Sequence, residues 1–366
     1  MKFEECKKLF DLDKIEELIR NESGVLWLFI RSINRKEFLE RFCISNNIAL
    51  VEKNVNKQFE ELYYLLLRDI ENFNKLRKFI KDNAKVYSRL EESVISSELY
   101  KMKAFAWGGD YTNALDKFLI DRYVKVHSSF EVITSKLETE IPLAVMGYVM
   151  CSWYNHWSTI LIENIFKQHA KVLPAIGNIK KVDFFIADIP FDLKTTYVPQ
   201  NFIETERKKI GLKSELQELK SIAKKYKLSF DFNGKVKDIT YEIIEKIKES
   251  ESQECKQELE TLFNFRKNLV LECIKLPNKI IQNLYENQGE MRFDASNRLF
   301  IILVDINNFE ESWKLKRNTK LLTSKIVEYL DNFSKEKLMK QKITFTHKAK
   351  SGEFSAISDV IFIIKD

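Results

Sequence analysis

Apolar and polar positions follow two different periods along this chain. Over the first hundred residues and again over 201–290, apolar residues recur every three or four positions, which predicts amphipathic helices. In several other short segments, apolar residues alternate with single polar ones or form unbroken runs, which predicts strands. The predicted strands are two in the segment 180–198, then one each at 297–305, 342–347 and 358–365.

This order of elements predicts an α/β (α+β) fold, with a mixed central sheet flanked by helices. We expect a helical N-terminal region at 1–105 and a sheet domain at 106–366, interrupted by a helical insertion at 201–290. Three longer helices are expected at 58–80, 152–171 and 310–333.

Two apolar runs, VLWLFI at 25–30 and IPLAVMGYVM at 141–150, are too short to span a bilayer, which takes roughly 20 residues. We therefore expect both to be core, with no membrane partner. The five cysteines are scattered and show no metal-ligand spacing, as is typical of reduced thiols in a cytosolic protein. The sequence predicts a soluble, cytoplasmic protein.

Composition narrows the function classes only a little. The 366 residues include 9 Gly and 5 Pro, too few for a disordered chain. The formal net charge of +6 permits nucleic-acid binding without demonstrating it, because a solvated Lys- and Glu-rich helical surface looks similar. The chain contains no phosphate-binding GxxxxGK[ST] motif and no histidine pair at ligand spacing.

The segment KKVDFFIADIPFDLKTTYV, at 180–198, carries the candidate chemistry. We interpret it as a hairpin with its turn at 188–190. Asp183 and Asp192 interrupt apolar strands, where a charge is destabilising unless a partner or a metal compensates it. Lys194 shares a strand face with Asp192 because side chains alternate faces. Two carboxylates and a lysine at one edge could hold a divalent metal and activate a water.

Glu163 lies among apolar neighbours, ILIENIF, on the predicted helix ahead of the hairpin. Charged side chains avoid full burial unless they are paired or bind metal. Glu163 could therefore lean over the same site. A solvent-facing position on an amphipathic helix is an equally open interpretation.

The order helix Glu163, strand Asp183, then Asp192-Leu193-Lys194 resembles that of the PD-(D/E)xK nuclease superfamily, which has the restriction-endonuclease-like fold. The match departs from the motif at one position, since Val182 replaces the proline before the first aspartate. The resemblance covers roughly the C-terminal 215 residues without the insertion. It implies an endodeoxyribonuclease that cuts double-stranded DNA, most plausibly a type II restriction enzyme or a related anti-phage nuclease.

The resemblance also implies the roles of the site residues. Asp183, Asp192 and the Leu193 backbone carbonyl would hold Mg²⁺, with Mn²⁺ as a substitute. Glu163 would bind a second metal directly or through water. Lys194 would orient and help deprotonate the attacking water.

Contacts with DNA and with proteins are predicted less specifically. We expect DNA contacts from Thr196 and from basic residues of two later segments, and a homodimer by analogy with enzymes that cut both strands. These basic residues are Lys314, Lys316, Arg317, Lys320, Lys348 and Lys350. The insertion could be a DNA-clasping arm, a dimerisation element or a solvated charged face.

Two other functions stay open. The chain could be the nuclease subunit of a defence or repair complex, recruited by a partner protein through the N-terminal helices. It could also be a non-catalytic helical module that binds DNA or protein, with structural charges in the hairpin.

Overall fold

The computed structural model describes residues 1–86, 88–105, 115–177, 179–231, 236–287, 296–347 and 350–365. The chain divides into two compact units. One comprises Met1–Thr196 and Gln288–Asp366, and the other is Tyr197–Asn287. Residues 1–105 belong to the same unit as the sheet.

Helices make up most of the larger unit. Its helices are α1 (Phe3–Asp11), α2 (Ile15–Ile19), α3 (Glu22–Ser32), α4 (Lys36–Ser45), α5 (Val55–Leu67), α6 (Ile70–Asp82), α7 (Arg89–Tyr100), α8 (Leu115–Leu119), a π-helix (Ile120–Val124), α9 (Phe130–Glu138), α10 (Glu140–Gln168), a 3₁₀-helix (Phe309–Arg317), α16 (Thr319–Asp331) and α17 (Lys335–Met339). The smaller unit contributes α11 (Gln200–Lys209), α12 (Glu215–Lys225), α13 (Val236–Glu249), α14 (Gln253–Lys275) and α15 (Asn278–Glu286).

Six strands form one sheet in the order β1-β2-β3-β4-β6-β5. Their bounds are β1 (Val172–Pro174), β2 (Phe184–Ile186), β3 (Ile189–Tyr197), β4 (Arg298–Asp305), β5 (Lys342–His347) and β6 (Lys350–Lys365). The pairs β1–β2, β2–β3 and β5–β6 are antiparallel, whereas β4 and β6 are parallel. The expectation of a mixed sheet flanked by helices is confirmed.

Helices cover both faces of the sheet, as the contacts of β2 with helices on each side show. Successive strand residues point to opposite faces. Phe184 stacks on Phe166 of α10 with ring centroids 4.8 Å apart, while Phe185 meets Phe29 of α3 edge to face at the same separation. All eight residues of β4 are buried, as expected for a central strand with both faces covered.

The smaller unit has a core of its own, built where α12, α13 and α14 meet. Apolar side chains at helical spacing fill it, among them Leu219, Ile243, Cys255 and Leu259. A buried ion pair crosses the unit, with Arg266 Nη2 2.6 Å from Glu215 Oε2. At least one charged pair of this segment therefore lies inside the unit.

Two predicted long helices are each broken by a polar capping residue. The helix expected at 58–80 is two helices, because the Asp69 side chain accepts the Glu71 N–H and starts α6. The helix expected at 310–333 is a 3₁₀-helix followed by α16, which begins where the Asn318 side chain accepts the Leu321 N–H. Capping bonds of this kind compete with the continuous helical hydrogen-bond ladder.

Of the two apolar runs expected to be core, one is buried and one is not. Residues 25–30 are all buried in α3. Residues 141–150 lie in the first third of α10, which begins well before the predicted start at 152, and several of their side chains are exposed. The exposed fractions are 64% for Leu143, 59% for Met146, 54% for Val149 and 44% for Met150. The core expectation is wrong for this second run. No helix in the described part of the chain is long and apolar enough to cross a membrane.

Candidate active site

The candidate site is built on the β2–β3 hairpin. Residues Phe184, Phe185 and Ile186 pair with Phe191, Pro190 and Ile189. The two residues between the strands, Ala187 and Asp188, have φ of 47° and 70°. Positive φ at both central residues is the conformation whose twist fits a two-residue hairpin. The turn is therefore at 187–188, and the predicted turn at 188–190 is wrong because Ile189 and Pro190 already belong to β3.

Asp183 lies immediately before β2, at the open end of the hairpin. Its N–H donates to the Phe191 carbonyl at 2.8 Å, and its carboxylate Oδ2 accepts the Leu193 N–H at 2.7 Å. Burial raises the pKa of this carboxyl from 3.8 to about 6. The negative charges of Asp192 and Glu163 contribute to this net rise in the pKa, while the Leu193 N–H and Lys194 oppose it. Three carboxylates therefore share one electrostatic environment.

Asp192 is buried in β3 and is held from several sides. Its Oδ1 lies 2.6 Å from Lys194 Nζ, and its Oδ2 lies 3.4 Å from Nε of the buried Arg298 in β4. The Asp192 N–H donates to the Asn297 carbonyl at 2.9 Å. The side chain of Lys194 is 47% exposed, so its ammonium reaches solvent from this pair. The expected shared face of Asp192 and Lys194 is present.

Glu163 is on α10, where its Oε2 accepts from Lys167 Nζ at 2.7 Å. The side chain is 23% exposed. This is intermediate between the two positions that the sequence left open, one leaning over the site and one facing solvent. Glu163 and Asp183 line the same pocket, of about 410 Å³. The other lining residues are Lys167, Ala175, Gly177, Ile179, Lys180 and Val182.

The donor chemistry of the site suits a hard divalent cation, because the side chains that converge are carboxylates. A bound cation would also favour the ionised form of Asp183, which burial and the nearby charges of Asp192 and Glu163 disfavour. The arrangement is not a finished metal cage: within the described residues, no three or more His, Cys, Asp or Glu side chains are grouped closely enough to hold an ion. A metal would have to compete with Lys194 for Asp192 and with Lys167 for Glu163.

The residues predicted to touch DNA are placed in different environments. Lys320 is exposed, Thr196 is partly buried, and Lys314 is paired with Glu311. Lys348 and the side chain of Lys350 lie outside the described residues.

Lys316 and Arg317 are both buried, against the expectation that they contact DNA. Lys316 Nζ donates to Asn155 Oδ1 at 2.7 Å, and burial lowers its pKa to about 8. Arg317 Nη1 donates to the Leu99 and Met102 carbonyls. Side chains committed to protein partners in the interior cannot also reach a phosphate, so these two do not belong to a DNA surface.

Sequence reasoning missed Lys167, Lys180 and Arg298. Lys167 stands four residues after Glu163, the spacing at which a helical ion pair forms, so its signal was present. Arg298 is a charged residue at the start of an otherwise apolar strand, but its contact with Asp192 depends on the pairing of distant segments.

The chain matches no model of a protein family, no curated protein and no solved structure in the comparisons made.

Proposed function

We propose that this chain is a divalent-metal-dependent endodeoxyribonuclease that hydrolyses phosphodiester bonds of double-stranded DNA. The observation that carries the proposal is the convergence of Asp183, Asp192 and Lys194 at one end of a hairpin, next to Glu163 on α10. The order of these residues resembles that of the PD-(D/E)xK superfamily. The mixed sheet with helices on both faces agrees with such a nuclease at the level of fold class.

Each side chain has a role that its environment supports. Asp183 and Asp192, with the Leu193 carbonyl and Glu163, would hold Mg²⁺ or Mn²⁺. The bound cation would neutralise phosphate charge and lower the pKa of a water. Lys194, partly exposed beside Asp192, would orient that water and donate to a phosphoryl oxygen.

The proposed substrate is duplex DNA, and the proposed assembly is a homodimer, since cutting both strands at once takes two such sites. A type II restriction enzyme fits a chain with no nucleotide-binding motif. Recruitment into a defence or repair complex through residues 1–105 is the alternative within this class.

The test is incubation of purified protein with supercoiled plasmid, with Mg²⁺, with Mn²⁺ and with chelator. Discrete linear fragments in the metal lanes support the restriction enzyme, and nicking or smearing supports a less specific nuclease. Equal cleavage with chelator contradicts the metal dependence. DNA binding without cleavage, in every metal lane, favours a non-catalytic module.

A further inference from the structure

A second pocket lies on the other side of the hairpin from Glu163, between α6 and the β1–β2 edge of the sheet. Its volume is about 330 Å³, within the size range of small-molecule sites. Phe185 lines it, and this residue points to the α3 face, opposite to Phe184 and α10. This second pocket is therefore separate from the pocket that Glu163 and Asp183 line.

Four basic side chains line this pocket, and two of them are held in place. Arg77 packs its guanidinium 5.0 Å and 4.8 Å from the ring centroids of Phe29 and Phe73, and it pairs with Asp188 at 2.7 Å. Lys171 Nζ donates to the Leu330 and Asp331 carbonyls at the end of α16. The one acidic side chain of the lining, Asp188, is thus already matched by Arg77.

The other two cations, Lys78 and Lys81, are three residues apart on α6 and so share a helix face. Neither has an ion-pair or hydrogen-bond partner within the described part of the chain. Lys75, one turn earlier, is paired with Glu71 at 3.7 Å. Positive charge is left unmatched at the pocket rim, which favours an anionic ligand.

The floor of the pocket has a different character from its rim. Val172, Leu173, Phe185 and Ala187 line it together with Ala170. Phe185 and Val172 are almost fully buried, at 1% and 2% exposed, so Leu173 and the two alanines present the apolar floor to a ligand. Such a floor next to two unmatched ammonium groups suits a ligand with a flat apolar body and a phosphate. Apolar contact with the floor and ammonium–phosphate bonds are the two contacts that such a ligand would make.

We propose that this pocket binds a nucleoside phosphate, with the base against Leu173 and the phosphate between Lys78 and Lys81. The nucleotide could be free or could be the 5′-terminal nucleotide of a nucleic-acid strand, since both present the same chemistry. The proposal does not depend on hydrolysis at Asp192.

The test is calorimetric titration of the full-length protein, without divalent metal, with the four nucleoside 5′-monophosphates. At least one should bind. Its nucleoside and inorganic phosphate should each bind about 10-fold more weakly or worse, because each makes half of the contacts. Lys78→Ala with Lys81→Ala should weaken nucleotide binding about 10-fold or more, while Lys75→Ala, which removes a charge of the same helix outside the pocket, should leave it unchanged.

Oligonucleotides with and without a 5′-phosphate separate the two sources of the ligand. Tighter binding of the phosphorylated strand than of the mononucleotide assigns the site to a strand end, and equal binding assigns it to a free nucleotide. The proposal is overturned if no monophosphate and no phosphorylated strand binds. It is also overturned if the Lys78/Lys81 variant binds as the wild type does, or if inorganic phosphate binds as tightly as the nucleotides.

Discussion

The backbone N–H of Leu193 donates to the carboxylate of Asp183 at 2.7 Å. This bond joins the residue before β2 to the middle of β3, so the carboxylate is positioned by the hairpin itself. It also stabilises the ionised form of Asp183, yet burial and the neighbouring carboxylates outweigh it and leave the pKa raised. The fold thus holds Asp183 where ionisation of its carboxyl is unfavourable, as is common for residues that serve chemistry more than stability.

Asp183→Asn should stabilise the fold at pH 7 by about 1–2 kcal/mol, because it removes a partly buried charge and keeps an acceptor for the Leu193 N–H. Since the folded-state pKa of about 6 lies above the unfolded value near 3.8, the native state binds the proton more tightly. The cost of the charge is present above pH 6 and disappears as the pH falls toward 4. Denaturant unfolding of both proteins at pH 7 and pH 4 measures this, and a gain that is equal at both pH values would contradict the assignment to Asp183.

Divalent-cation binding should weaken as the pH falls through about 6, because a proton and a cation compete for the same Asp183 oxygens. The rise in Tm on adding Mg²⁺ should be larger at pH 7.5 than at pH 5.5. In Asp183→Asn, the Mg²⁺-induced rise should be reduced and should no longer depend on pH in this range. A pH dependence that persists unchanged in the variant would place the titrating group elsewhere.

Lys194→Ala should lower the rate of metal-dependent DNA cleavage about 10²–10⁴-fold, the range for removing a group that handles protons in the transition state. The variant should still fold with only a modest loss of stability, because nearly half of this side chain is in solvent and Arg298 still contacts Asp192. Asp192→Ala should abolish cleavage. Lys57→Ala, which removes an exposed lysine of α5, is the matched control and should cleave normally. Wild-type cleavage by the Lys194 variant would rule out its proposed role.

The sequence predicts the features of this site that depend on neighbouring residues. It does not predict the contacts between segments that are far apart in the chain. Alternation around Asp183 and Asp192 predicts a hairpin, and strand geometry places Asp192 and Lys194 on one face. Arg298 reaches Asp192 only because β4 lies beside β3, a pairing between segments about a hundred residues apart. No local pattern encodes such a neighbour.

The hydrophobic pattern also fails to predict some helix ends and the exposure of the apolar run at 141–150, because it does not register the contacts that decide them. Asp69 and Asn318 start new helices through side-chain bonds that a hydrophobic pattern does not register. The run at 141–150 is apolar on all sides, so periodicity could not show which residues of α10 face solvent. The strand β1 is three residues long and ends in Pro174, too short for alternation to be visible.

Arg298→Met should destabilise the fold by about 3 kcal/mol, because it leaves the buried Asp192 carboxylate without one of its two cations. The loss should be at the low end for a broken buried pair, since Lys194 still contacts Asp192. Adding Asp192→Asn should restore part of the stability, and a double-mutant cycle by denaturant unfolding measures the coupling. Additive effects of the two changes would show that the pair is not coupled.

Gly177→Ala should disturb the wall of the pocket that Glu163 and Asp183 line. A Cβ at this position would stand 2.7 Å from both the Ser32 carbonyl oxygen and Asn34 Oδ1, closer than carbon and oxygen can approach without contact strain. Overpacking of this kind costs about 1–3 kcal/mol, and here one obstacle is backbone at the end of α3, which cannot rotate away. Because Gly177 lines the same pocket as Glu163 and Asp183, the variant should lose stability and should also show a smaller Mg²⁺-induced rise in Tm than the wild type. Thermal unfolding with and without Mg²⁺ gives both values. A variant as stable as the wild type would show that the loop shifts freely, and that the end of α3 does not brace this pocket.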